Sequence, residues 1–367
     1  MRIGVPKEIK THEYRVGLVP FAVRELVNAG HEVLVEGGAG LGIGAGDDDY
    51  IRAGARIVAA DELFDDAELI IKVKEPQPGE WRRLREGQIL FTYLHLAADR
   101  AQAQGLLEAG VTAIAYETVV DERGRLPLLA PMSEVAGRLS IGAAGEALKR
   151  PAGGSGVLIG GVPGVEPAHV VILGGGVVGT HAARMAVGLG AQVTILDTSI
   201  DRLRELDELF GGRVRTLVAF ADTVAKAIAS ADVVIGAVLV PGANAPRLVT
   251  RAMLETMRQG AVIVDVAIDQ GGCFESSHPT THADPIFVEQ GIVHYCVANM
   301  PGAVPRTSSI ALANATLPYC LMIADGGIAA IARHYGLRAG LNVHRGEIFN
   351  PAVAASLGFR CAQLAAA

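Results

Sequence analysis

The chain has 367 residues, half of them hydrophobic and 19% charged, which excludes a disordered chain and supplies apolar material for more than one core. A net charge of −7 disfavours nucleic acid as a partner, and no apolar run approaches the roughly 18 residues of a membrane span. The opening MRIGVPKEIK lacks a signal peptide's apolar core and the four cysteines form no CxxC pair, so a reducing cytoplasm and no bound metal are expected.

From the N-terminus, strand-like segments at 2–5, 32–36, 56–58, 69–74, 89–94 and 112–116 alternate with helical stretches such as 20–28 and 100–108. Gly30, Gly54 and Gly110 follow helical stretches, where a left-handed residue commonly closes the last turn. The rhythm predicts a mostly parallel sheet with helices on both faces. A Pro/Gly-rich stretch over 150–167 interrupts it. A second series then places strands at 169–173, 192–196, 214–217, 232–237, 261–266 and 292–296. The expected fold class is α/β: two doubly wound, Rossmann-like parallel-sheet domains with a cleft between them. The tail beyond Gly302 reads as helical over 309–334, and the pattern does not say where it docks.

The sharpest motif is VVILGGGVVGTHAARMAVGLGAQVTILD, residues 170–197. An apolar strand leads into Gly174, Gly176 and Gly179, spaced as GxGxxG, and a helical stretch over 177–189 follows. That turn needs glycines because it is tight, because backbone must touch a pyrophosphate, and because helix and strand pack closely. The helix N-terminus then offers unpaired N–H groups to the phosphates. Asp197, at the end of the next strand, accepts hydrogen bonds from ribose hydroxyls and repels a 2′-phosphate, which favours NAD over NADP. Arg202 and Arg204 stand close enough in sequence to blunt that preference.

Ligands of open α/β sheets bind beyond the carboxyl ends of strands. Arg15 follows the first strand, Lys74 ends LIIKVK, and His95 follows ILFTYL. A guanidinium grips a carboxylate with two parallel bonds, and an imidazole exchanges protons near neutral pH. In VIVDVAIDQGG, Asp269 lies just past a buried-looking strand, where a carboxylate can orient water or an amine, while Asp265 inside the strand reads as structural. His278 and His282 are four apart, but Pro279 lies between them, so they read as loop residues rather than metal ligands.

With these residues in place, the chain resembles the alanine dehydrogenase family. The resemblance runs through GVPKEIKTHEYRV (4–16), VKEPQ (73–77), TYLHLAAD (92–99), MSEVAGRLS (132–140), GVPGV (161–165), the glycine fingerprint, AVLVPGANAP (237–246), VDVAIDQGG (264–272) and ANMPGAVPRTS (298–308). It implies NAD-dependent interconversion of L-alanine with pyruvate and ammonia. It also implies a substrate domain from 1–128 and 302–367, and an NAD domain over 129–301. Within that scheme Arg15 and Lys74 hold the substrate carboxylate and carbonyl, and His95 and Asp269 are the catalytic pair. Tyr93, Glu117 and Asn299 lie by the substrate. Beyond the glycine turn, the cofactor contacts implied are Ser133, Val177, Val178, Asp197, Arg202, Val238, Leu239, Val266, Ala267, Ile268, Asn299 and Met300.

Family members are commonly hexamers, so a homohexamer is expected. The departures are Ile141–Gly142, where the family usually carries a Gln, and Ala219, where some relatives have a Ser. Related possibilities are a dehydrogenase for another small amino acid (glycine/glyoxylate), the nucleotide-binding part of a transhydrogenase, and a non-catalytic NAD binder.

Overall fold

The computed structural model describes residues 1–238 and 245–363. The chain divides into two compact units, Met1–Met132 with Gly302–Ala367, and Ser133–Pro301. The Pro/Gly-rich stretch falls inside the second unit. The first boundary between the units lies within the helix Ala130–Ala147.

The first unit opens with β1 (Arg2–Val5), β2 (Glu32–Glu36), β3 (Arg56–Val58), β4 (Leu69–Ile71), β5 (Ile89–Thr92) and β6 (Thr112–Ala115), all parallel. β4, β5 and β6 are buried along their whole length, which is why they read as continuous apolar runs rather than alternating ones. Gly4 in β1 is required by packing: a Cβ there would sit 2.8 Å from the side chains of Leu63, on the covering helix Ala60–Asp66, and Ala67, just past its end. Leu34, Phe64, Ile70, Leu90 and Leu106 join one core on this face. Full burial of each such side chain contributes about 1.5–3 kcal/mol.

The second unit contains β7 (His169–Leu173), β8 (Gln192–Asp197), β9 (Arg215–Val218), β10 (Val233–Gly236), β11 (Val262–Asp265), β12 (Ile286–Glu289) and β13 (Ile292–Tyr295). Cores built around Ile172 and Val264 on one face and Val171 and Ile263 on the other bury both sides of its sheet. Ile141, one of the departures from the family pattern, is fully buried in the first of these cores. The chain then returns to the first unit with β14 (Leu341–His344) and β15 (Glu347–Ile348).

Among the described residues the sheet orders are β15-β14-β6-β5-β4-β1-β2-β3 and β12-β13-β11-β10-β7-β8-β9. Both contain the doubly wound order in which the first strand sits centrally and the chain winds outward in both directions. Both are mostly parallel, as expected, and both carry antiparallel strands that the pattern did not locate. β14 and β15 are antiparallel additions to the first sheet, and β12 is an antiparallel edge of the second.

The long C-terminal helix is Pro305–Arg333, broken by a non-helical Gly327 (φ 53°, ψ −141°) and carrying Pro318. By length and composition alone this helix could cross a membrane, with a mean hydropathy of 1.5 over its most apolar window. The sequence conceals this because its hydropathy comes from scattered Ala, Ile and Leu between Asn, Thr and Pro rather than from an unbroken run. One edge of it, including Leu312, Cys320 and Ile323, is buried in the fold.

Candidate active site

In the first sheet the winding reverses between β1 and β4. The segments leaving the carboxyl ends of β1, β4, β5 and β6 carry Arg15, Lys74, His95 and Glu117 respectively. Strand pairing continues a little past the strand ends: Tyr93 N–H donates to Val73 C=O at 3.2 Å, and Thr92 Oγ1 donates to Lys74 C=O at 3.0 Å. Lys74 and His95 therefore leave from fixed points.

Arg15 is 2% exposed. Its Nε donates to Glu13 Oε1 at 2.7 Å and its Nη2 to Glu13 Oε2 at 2.5 Å, while Nη1 lies 3.1 Å from Met132 Sδ. Glu13 Oε1 also accepts the Arg15 backbone N–H. Burial opposes the guanidinium's charge, but the Glu13 carboxylate more than offsets it and holds the pKa above its usual value. The two-pronged grip expected toward a substrate is thus already made toward Glu13 on the Nε–Nη2 edge.

Beneath Lys74 lies a buried ion triad. Lys72 Nζ donates to Glu80 Oε1 at 2.8 Å and to Glu8 Oε2 at 3.2 Å. Burial works against the ammonium, and the two carboxylates outweigh it, so its pKa is raised. The other Glu8 oxygen accepts the N–H groups of Val73 at 2.7 Å and Lys74 at 3.3 Å. Removing one member of such a buried group costs about 3–5 kcal/mol, because a charge is left uncompensated. The triad therefore fixes the backbone on which Lys74 is mounted.

His95 is exposed and has left-handed backbone (φ 50°, ψ 33°), which costs a non-glycine residue about 1–2 kcal/mol. The Glu117 carboxylate holds it there, accepting the His95 N–H at 2.6 Å and the Leu94 N–H at 3.2 Å. The imidazole stacks on Tyr93, with centroids 5.9 Å apart and planes 9° from parallel. Tyr93 in turn donates its hydroxyl to Leu128 C=O at 2.6 Å, and burial raises its pKa further above neutrality. Both residues placed near the substrate by resemblance, Tyr93 and Glu117, are thus engaged in holding the histidine.

The second sheet reverses between β7 and β10, and the glycine turn follows β7. Its three glycines do three different things. Gly174 has φ +101°, and a Cβ there would lie 2.7 Å from Ala237 C=O. At Gly179 a Cβ would lie 1.9 Å from Gly174 C=O. A Cβ on Gly176 would meet nothing within 4 Å, so backbone there is open to an approaching group. The helix Val177–Gly188 begins at this point with no side-chain cap. A tight turn, open backbone and an uncapped helix start fit a pyrophosphate.

Asp197 Oδ2 accepts the Gly175 N–H at 2.7 Å and Oδ1 the Ser199 N–H at 2.9 Å. Arg202 donates from Nε to Gly175 C=O and from Nη2 to Thr180 Oγ1, each at 2.7 Å, and pairs through Nη1 with Glu205. It braces the glycine turn from the adjoining helix. Arg204 pairs with Asp201 on the surface.

Asp269 is exposed on the one-turn segment Val266–Gln270 after β11. That segment hangs on the fully buried Asp265, which accepts the N–H groups of Ala267 at 3.2 Å and Cys273 at 2.9 Å. Burial pushes the Asp265 carboxyl up to about 6. Ala267 and Ile268 are buried in the same segment, and Val266 and Val238 are half-buried at strand ends. Ser133 is half-buried on its helix. Gly137 lets that helix lie directly on the start of the next, since a Cβ would sit 2.3 Å from Val178 C=O. Val177 is exposed at the turn, Asn299 is half-buried with left-handed backbone (φ 64°), and Met300 is buried. Leu239 lies outside the described residues.

Sequence reasoning missed Glu8, Glu13, Glu80 and Met132. The signal for the first two was present: KEIKTHEYR sets two acids beside residues that must bury cations, and burial demands partners.

Residues 4–136 match the N-terminal domain, and residues 140–351 the C-terminal domain, of the alanine dehydrogenase/PNT family. The chain is 57% identical over 367 residues to an alanine dehydrogenase of Halomonas elongata, covering 100% of this chain and 99% of that one. It is 56% identical to an alanine dehydrogenase of Bacillus subtilis, covering 98% and 95%. Among solved structures, an L-alanine dehydrogenase superposes with a TM-score of 0.94 at 53% identity, covering 98% and 99%. A transhydrogenase from Sinorhizobium meliloti follows at 0.82 and 27%, covering 96% and 100%. With both family domains matched in order and relatives above half identity from end to end, this chain belongs to the alanine dehydrogenase/PNT family.

Proposed function

We propose that the chain catalyses the reversible, NAD-dependent oxidative deamination of L-alanine to pyruvate and ammonia. The observation that carries this reading is the buried, Glu13-braced Arg15 beyond β1, with Lys74 and His95 mounted at the ends of β4 and β5. Arg15 orients the substrate carboxylate, and Lys74 supplies the second positive charge that keeps carboxylate and carbonyl oxygen in place. When bound, NAD would supply the hydride acceptor for the substrate α-carbon, whose oxidation gives iminopyruvate.

His95 then acts at the imine carbon: it accepts a proton from the attacking water and returns one to the departing ammonia. Asp269 orients water or amine and offsets the local positive charge. On the cofactor side, Gly174, Gly176 and Gly179 receive the pyrophosphate. Asp197 accepts from the adenosine ribose hydroxyls and disfavours a 2′-phosphate. The three commitments of Arg202 favour NAD for the same reason, since a guanidinium tied to Gly175, Thr180 and Glu205 is a poor phosphate receptor. Relatives named alanine dehydrogenase that span the chain end to end support the substrate assignment.

The test is NADH loss with ammonia against a panel of 2-oxo acids. Pyruvate is expected to give the highest kcat/KM. Glyoxylate as the preferred acid would move the assignment to glycine. NADH oxidation that ignores both ammonia and oxo acid would sink it.

A further inference from the structure

Asn299, which the family resemblance implies as a contact of both substrate and cofactor and so places at the nicotinamide end of the site, has an unusual backbone for a residue with a side chain: φ is +64°. Its peptide carbonyl is met by the His282 ring, with Nε2 at 3.2 Å. A carbonyl only accepts, so Nε2 carries the proton and donates. The segment bearing His282 is tied down independently. Thr280 N–H donates to Cys296 C=O at 2.9 Å, and Ala298 N–H returns to Thr280 C=O at 3.3 Å. Thr280 Oγ1 donates to Pro285 C=O at 3.0 Å, and Asp284 N–H to Thr281 Oγ1 at 3.2 Å. His282 is half-buried at the head of this turn, and its ring reaches across to the first residue beyond the paired 296–298 stretch.

We propose that His282 is a positioning residue for the nicotinamide end of the site: its imidazole fixes the Asn299 carbonyl and thereby the left-handed backbone that aims Asn299. Left-handed backbone is disfavoured for any residue with a Cβ and persists where the surroundings impose it. The Nε2–H donor on a tied turn is such an imposition. This inference rests on the cofactor reading above.

The experiment compares His282→Ala, His282→Asn and His282→Gln in the full-length chain. The readouts are kcat and KM for pyruvate-dependent NADH oxidation and calorimetric affinities for NADH and for ADP-ribose, which lacks the nicotinamide. H282A is expected to lower kcat about 10- to 100-fold, the size expected when a group beside the reacting atoms is misplaced by a change away from the chemistry, and to weaken NADH several-fold. ADP-ribose affinity should stay within about twofold. Gln places its amide nitrogen where Nε2 lies, so H282Q should recover most of the loss, whereas the shorter Asn should not.

Should H282A fail to fold, the Gln–Asn contrast carries the test alone. Equal behaviour of H282N and H282Q, equal weakening of NADH and ADP-ribose, or an H282A enzyme within twofold of the parent would each overturn the proposal. A parent chain that binds NADH but shows no pyruvate- and ammonia-dependent turnover would instead overturn the functional reading, and the two-ligand comparison would still judge His282.

Discussion

Glu117 offers the sharpest perturbation, because its resemblance-based place near the substrate and its observed contacts make different predictions. Its carboxylate accepts two backbone N–H groups, from His95 at 2.6 Å and Leu94 at 3.2 Å, at the residue whose left-handed backbone carries the candidate acid–base imidazole. Hydrogen bonds to a charged acceptor contribute about 1.5–3 kcal/mol each, and the left-handed backbone they oppose costs about 1–2 kcal/mol. Water replaces part of what Glu117→Ala removes, because Glu117 is only half-buried. A net loss of about 2–3 kcal/mol in holding His95 remains.

At 1.36 kcal/mol per decade, that corresponds to a fall in kcat of roughly 30- to 150-fold. Glu117→Gln keeps one oxygen for the shorter bond and should lose about 3- to 10-fold, since a neutral acceptor is roughly half as strong. The assay is steady-state NADH oxidation with saturating pyruvate and ammonia, alongside NADH affinity, which should not move because Glu117 lies in the other unit. A Glu117→Ala enzyme with unchanged kcat and a raised KM for pyruvate alone would refute the reasoning and make Glu117 a substrate contact.

Glu13→Gln should impair pyruvate binding nearly as much as Arg15→Lys, about 10- to 100-fold in kcat/KM, because each removes the two-bond brace; a Glu13→Gln enzyme with normal KM would show that Arg15 needs no such support. Asp197→Ala should weaken NADH and relax discrimination against NADPH, and an unchanged preference ratio would contradict the ribose assignment. His294 is fully buried, bonded to Ser276 at 2.8 Å, and burial lowers its pKa to about 4. Its folded form stays neutral while the unfolded chain takes up a proton, so its stabilisation is complete above about pH 6.5 and falls as pH drops toward 4. Denaturant unfolding of the parent should lose up to about 3 kcal/mol over that window, and His294→Gln should flatten this part of the profile.

Much of this fold was legible because buried parallel strands announce themselves as apolar runs. The segments LII, VVIL, VVIG and VIVD fall where the pattern placed them. The strand bounds erred where chemistry begins: 69–74 and 89–94 were read as continuous, yet β4 ends at Ile71 and β5 at Thr92. Beyond those points alternation of apolar and polar residues persists for a different reason. Lys72 is buried on an ion triad, and Tyr93 is buried under His95.

The antiparallel strands β12, β14 and β15 were missed because two to four residues at a sheet edge carry too little periodicity to register. The residues with chemistry could be picked from strand ends and the glycine spacing. Their pairings could not: the acids of KEIKTHEYR signal that cations are buried nearby, but only the folded chain defines Glu13 with Arg15, Glu8 with Lys72, and Glu117 with His95.

Reductive amination of pyruvate should consume one NADH for each L-alanine made. Nitrogen-15 NMR of a reaction containing the chain, labelled ammonium, pyruvate and NADH reads this stoichiometry. Labelled L-alanine should form in one-to-one proportion with NADH consumed, and be abolished in His95→Ala without loss of NADH binding. NADH consumption that yields lactate or no labelled amino acid would contradict it.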